Sequence, residues 1–201
     1  MKIINYFLAV SMVISCKKEH VPKPVISMHP KTILIQPFKG IASVHVDEIA
    51  SAIREIYPEI KVLKAIDFPT NSYYAPRNRY RADSIIKYLS SMAPENTIIL
   101  GLTTKDISAT KGSNPDFGII GLGFRPGNAC VASSFRLRNG NKNEQFFKVA
   151  IHELGHTQGL PHCREKTCFM RDAEGGNPTD EEKDFCKKCK EFLKTKNWNF
   201  N

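Results

Sequence analysis

The chain has 201 residues, of which 41% are hydrophobic and 24% charged, enough for one domain with a substantial core and ordinary for a soluble globular protein. Its formal net charge of +9 is spread along the sequence, and no DNA- or RNA-binding motif accompanies it, which argues against a nucleic-acid partner. The largest basic group, Lys187, Lys188, Lys190, Lys194 and Lys196, reads as the solvated face of a C-terminal helix rather than a polyanion site.

Lys2 gives a short basic start, and Ile3 to Ile14 form an apolar run too short to span a bilayer comfortably, so residues 1–15 read as a signal peptide. The run ends in Val13-Ile14-Ser15-Cys16, which resembles the bacterial lipobox. That resemblance implies lipidation of Cys16 as the first mature residue; a plain secretory signal with an incidental cysteine is the other reading. Lys17, in place of Asp, resembles the sorting pattern for an outer membrane. The expectation is a protein of the bacterial cell envelope, anchored to a membrane through lipid and facing the periplasm or the surface. Residues 16–31, with three prolines and several charges, read as the lipidated cysteine and a tether.

Residues 32–201 read as a single domain. Thr32–Phe38 (TILIQPF) predicts a first strand, Val44–Tyr57 a helix from its apolar spacing, Ile60–Ala65 a second strand, Arg81–Met92 a second helix and Thr97–Leu102 a third strand. This alternation predicts right-handed crossovers and a largely parallel, α/β-like N-terminal part. Residues 107–116 read as a polar loop. Phe117–Phe124 and Ala129–Ser134 predict two more strands, Glu144–Gly159 a long helix, and Glu181–Asn197 a last one.

The chemistry concentrates in HELGHTQGLPHCREKTCFM, residues 152–170. His152 and His156, four apart, project from one helix face at the separation a single zinc requires. Glu153 is placed to reach a water at the metal and serve as general base. Gly159 can end the helix in a left-handed conformation, after which His162 can approach the same ion from another direction. Three protein ligands leave one position open, the catalytic arrangement. His20, His29 and His45 lie outside the motif and read as structural or solvated.

Cys163 and Cys168 are followed by Cys186 and Cys189, a CxxC. Spacing suits a closed four-thiolate zinc site, whereas export favours disulfides among the same four residues, and the two readings stand level on these grounds. Cys130 reads as a small buried residue.

HExxHxxGxxH followed at once by Cys, then Cys168, Met170 and CxxC, resembles the archaemetzincin branch of the metzincin metallopeptidases; GLTTKDI (101–107) and DFGIIG (116–121) resemble that family's upstream segments. Fifteen residues separate Met170 from Cys186, where the family usually has seventeen. The resemblance implies an α+β fold with a metzincin-like, mostly parallel five-stranded sheet, an antiparallel edge strand, a long catalytic helix and a small zinc-pinned C-terminal part. It further implies catalytic zinc on His152, His156 and His162, and Glu153 as base. Met170 would form an apolar floor in the Met-turn, and a second, structural zinc would sit on Cys163, Cys168, Cys186 and Cys189. The expected activity is peptide-bond hydrolysis by a monomer acting on a peptide or protein laid along Phe117–Phe124. The alternative is a non-catalytic zinc- and peptide-binding envelope lipoprotein.

Overall fold

The computed structural model describes residues 30–138 and 140–200; the expected signal peptide, Cys16 and most of the tether lie outside these. In chain order the elements begin with β1 (Thr32–Pro37), α1 (Ser43–Ile56), β2 (Ile60–Val62), β3 (Tyr73–Tyr74) and β4 (Arg79–Arg81). They continue with α2 (Ala82–Met92), β5 (Thr97–Thr103), β6 (Ile107–Lys111), β7 (Asn114–Ile119), β8 (Gly121–Gly123) and β9 (Ala129–Ser133). The helices α3 (Lys142–Gln158) and α4 (Lys187–Lys194) complete the domain. Among the described residues no helix is long and apolar enough to cross a membrane.

The main sheet has five strands in the order β2-β1-β5-β9-β8, parallel except for β8, which runs antiparallel to β9 at one edge. Its strands are apolar on both faces because both faces are covered, as parallel sheets require. Ile33, Ile35, Ile98 and Leu100 turn toward α1 and α3, where Val46, Ile49 and Ile53 meet Val149, Ile151 and Leu154. Leu34 and Ile99, one residue out of phase, turn the other way onto Ile85, Ile86 and Leu89 of α2. α3 therefore lies across the sheet beside edge strand β8. The C-terminal end is tied back through Trp198, tilted against Tyr57 with ring centroids 5.4 Å apart.

Three expectations need correction. Residues 107–116 are not a loop: β6 and β7 form a hairpin in a second, four-stranded sheet ordered β3-β4-β6-β7. Ile107, Ser108 and Ala109 are buried, and Gly112 turns the chain at φ 57°. Pro115 is accommodated because β7 is an edge strand. Phe117–Phe124 is likewise not one strand but divides between β7 and β8, one in each sheet. The last helix starts at Lys187 rather than Glu181, since residues 183–184 fold back onto Thr167, with Lys183 N–H donating to its carbonyl at 2.8 Å.

Candidate metal centre and cleft

His152 and His156 stand on α3, whose C-terminus is closed by Gly159 at φ 110°. Leu160 N–H donates to Gly155 O at 3.1 Å and Gly159 N–H to His156 O at 2.9 Å, which turns the chain so that His162 comes back over the helix end. One donor atom from each of the three histidines then lies within 4.8 Å of the others. The rings are splayed rather than stacked, with His152 and His156 at 87° and centroids 4.6 Å apart.

Each imidazole is held through its Nδ1. His152 donates to Phe169 O at 2.6 Å and His156 to Leu160 O at 2.8 Å, while His162 Nδ1 meets Asp172 Oδ2 at 3.1 Å. A carbonyl can only accept, so Nδ1 carries the proton and Nε2 keeps a free lone pair; this is how metal-binding histidines are oriented by the groups behind them. Burial lowers His152 to about 3 and His156 to about 4, so both are neutral at physiological pH, the form that binds metal. The donor set therefore fits zinc.

Glu153 lies against β8. A Cβ built at Gly121 would sit 2.5 Å from Glu153 Oε1, and one at Gly123 would sit 2.8 Å from the Glu153 carbonyl oxygen. These two glycines let the edge strand approach α3 at that carboxylate, and burial pushes Glu153 up to about 8. Gly155, inside the motif, has a matching purpose. A Cβ there would come within 2.4 Å of Met170 Sδ, so the missing side chain lets fully buried Met170 lie under the histidine helix.

The four cysteines form a second cluster, with one sulfur of each within 4.8 Å of the others. Cys163 Sγ is 3.7 Å from Cys186 Sγ, and Cys168 Sγ is 3.8 Å from Cys189 Sγ. Disulfide sulfurs stand about 2.04 Å apart, whereas four thiolates about 2.3 Å from one zinc are separated by about 3.8 Å along each tetrahedral edge. Cys168 is held down to about 5, first by the thiol of Cys189 and then by the backbone N–H groups of Cys186 and Met170, donating at 3.3 and 3.5 Å. Cys130 is buried in the sheet, apart from this cluster.

A cleft of about 730 Å³ runs between α3 and β8, lined by His152, Glu153, His156 and His162 together with the β6–β7 hairpin and the 171–182 segment. Lys148, one helical turn ahead of His152, forms part of its wall although only 7% exposed. Its ammonium group donates to Thr179 O at 2.9 Å and Glu182 O at 2.8 Å and pairs with Glu144 Oε1 at 2.6 Å. Lys148→Met strands two buried carbonyls, and its stability should fall by about 2–4 kcal/mol, measurable from the urea midpoint at unchanged m value. Asp172, Lys148, Glu182 and the purpose of Gly155 are not evident from motif spacing. A lysine inside the apolar stretch FFKVAI was the one available sign.

A mixed sheet whose edge strand flanks a helix with two imidazoles, and a third imidazole supplied by the turn beyond, defines the zinc metallopeptidase class. The profile of Peptidase family M54 matches residues 31–195. The archaemetzincin of Archaeoglobus fulgidus is 36% identical over 162 residues, covering 78% of this chain and 95% of the relative. That of Methanopyrus kandleri is 33% identical over 153 residues, covering 74% and 85%. The crystal structure of the latter superposes with a TM-score of 0.72 at 29% identity, over 88% of this chain and 98% of that one. The chain belongs to peptidase family M54, the archaemetzincins.

Proposed function

We propose that this protein is a zinc-dependent peptidase with His152, His156 and His162 as ligands of the catalytic ion and Glu153 as general base. The observation that carries this reading is the commitment of all three Nδ1 atoms to carbonyl or carboxylate partners, which leaves three Nε2 lone pairs for one ion. Bound zinc supplies Lewis-acid polarisation of the scissile carbonyl and acidifies water. Glu153 takes the water's proton on its carboxylate and delivers it to the departing amine, a task suited to a carboxyl raised toward neutrality by burial. The substrate lies extended along β8, whose outer edge is unpaired within the sheet, and adds there as a further strand.

Cys163, Cys168, Cys186 and Cys189 hold a second zinc with structural purpose, an assignment supported by sulfur separations close to those of a tetrahedral thiolate site. Met170 floors the catalytic ion. Both ligand sets lie within one chain, which supports a monomer as the active form. Lipidation of Cys16, with residues 17–31 as tether, would hold the domain at the bacterial envelope.

The test is digestion of an unbiased peptide library by the zinc-loaded protein, with products read by mass spectrometry. Cleavage that a zinc chelator abolishes and added zinc restores supports the reading; an intact library with zinc bound rejects it in favour of a non-catalytic binding protein. Gly121→Ala should lower turnover roughly 10–100-fold at unchanged zinc content, because its methyl group would occupy the space of the Glu153 carboxylate.

A further inference from the structure

Glu182 is only 4% exposed, yet its carboxylate makes no salt bridge among the described residues. It lines the same cleft as the histidines. Its backbone carbonyl is fixed by Lys148, so its position relative to α3 is set one helical turn ahead of His152. A carboxylate so enclosed, with no cation in contact, is costly to charge.

The neighbours do not relieve that cost. Lys148 and Arg171 are the cations that act on Glu182. Lys148 has three N–H groups, and all three are spent on Thr179 O, Glu182 O and Glu144. Arg171 directs Nη1 to Glu181 at 2.6 Å and to Lys166 O at 3.3 Å. The surrounding polar side chains satisfy one another: Asn177 donates to Gln145 Oε1 at 2.9 Å, Gln145 to Asp180 Oδ1 at 2.9 Å, and Thr179 to Asn177 Oδ1 at 2.7 Å. These contacts leave the Glu182 carboxylate open to a partner that enters from the cleft. The lining of the same cleft is partly apolar, with Ile119, Ile120, Val149 and Pro178.

We propose that the Glu182 corner is a subsite for a substrate side chain with an aliphatic stem and a cationic tip, a lysine or an arginine, with Glu182 as its counter-ion. The stem packs on the apolar wall, and the ammonium or guanidinium displaces the proton that burial keeps on Glu182, which passes to solvent, and takes its place against the carboxylate. This rests on the peptidase reading only in treating the ligand as a peptide; the ion pair itself requires no cleavage.

The experiment measures binding apart from turnover. Alanine-based octapeptides carrying one lysine, norleucine or glutamate, walked through successive positions, are titrated calorimetrically into zinc-loaded protein carrying Glu153→Gln. At one position lysine should bind about tenfold or more tighter than norleucine, with glutamate weakest, and Glu182→Gln in the same background should bring the lysine-to-norleucine ratio to about one. Folding of that variant is checked by its melting temperature. Burial raises Glu182 to about 8, so the folded state holds this proton more tightly than the unfolded chain. Stability is therefore lost as pH rises from about 4.5 to about 8, and Glu182→Gln should melt at or above its parent at pH 8. Glu182→Met serves as a second variant.

Equal affinity for lysine and norleucine peptides, a preference that survives both substitutions, or no binding of any peptide would overturn the subsite. A Glu182-dependent lysine preference in a protein whose Glu153 form cleaves nothing would keep the subsite and reject the peptidase reading.

Discussion

Glu153→Gln is expected to lower turnover roughly 10²–10⁴-fold without changing zinc content, the range that general acid–base catalysis contributes. Glutamine keeps the shape of the side chain, so it still lies against Gly121 and leaves β8 and α3 in place. It cannot accept the water's proton or return it to the leaving amine. His152, His156 and His162 are each oriented by groups other than Glu153, so the ligand set survives the substitution. Parallel measurement of turnover and zinc per chain separates these effects. Lost turnover with retained zinc supports the base; retained turnover would assign proton transfer elsewhere.

The second large effect concerns the cysteine cluster. Cys189→Ser removes one of four thiolates and should cost roughly 4 kcal/mol or more, a fall in melting temperature of about 10 °C or more for a domain of this size. Cys163 and Cys168 follow the third histidine, Cys186 caps α4, and Cys189 lies on that helix. One ion there would join the loop after His162 to the C-terminal end. Its loss would free the segment containing Phe169, whose carbonyl oxygen orients His152. Scanning calorimetry with and without a strong chelator tests this. Chelation should bring the parent down to the level of Cys189→Ser and should move the variant little. Equal melting of variant and parent would rule out a stabilising ion at the cysteines.

The site was legible in proportion to how local its parts are. His152, Glu153, His156, Gly159 and His162 follow from helix periodicity and one glycine, and the structure brings the three histidines together as that pattern implies. The main sheet was legible because its parallel strands are continuous apolar runs separated by helices. The β6–β7 hairpin was not, because Ser108 and Thr110 alternate with small or apolar residues only weakly, and the strand is specified by pairing with β4 far back in the chain. The fate of the four cysteines could not be read from spacing, since zinc and disulfides accept the same intervals. It is the 3.7 and 3.8 Å sulfur separations that favour the ion. Lys148 and Glu182 were invisible because their meaning depends on contacts across more than thirty residues.

The most direct measurement is zinc per chain by native mass spectrometry, on protein purified without added metal, together with a free-thiol count. Two zinc ions and no disulfide among Cys163, Cys168, Cys186 and Cys189 is the predicted result. One zinc with those four cysteines oxidised would remove the structural site, and no zinc at all would contradict the account at its centre.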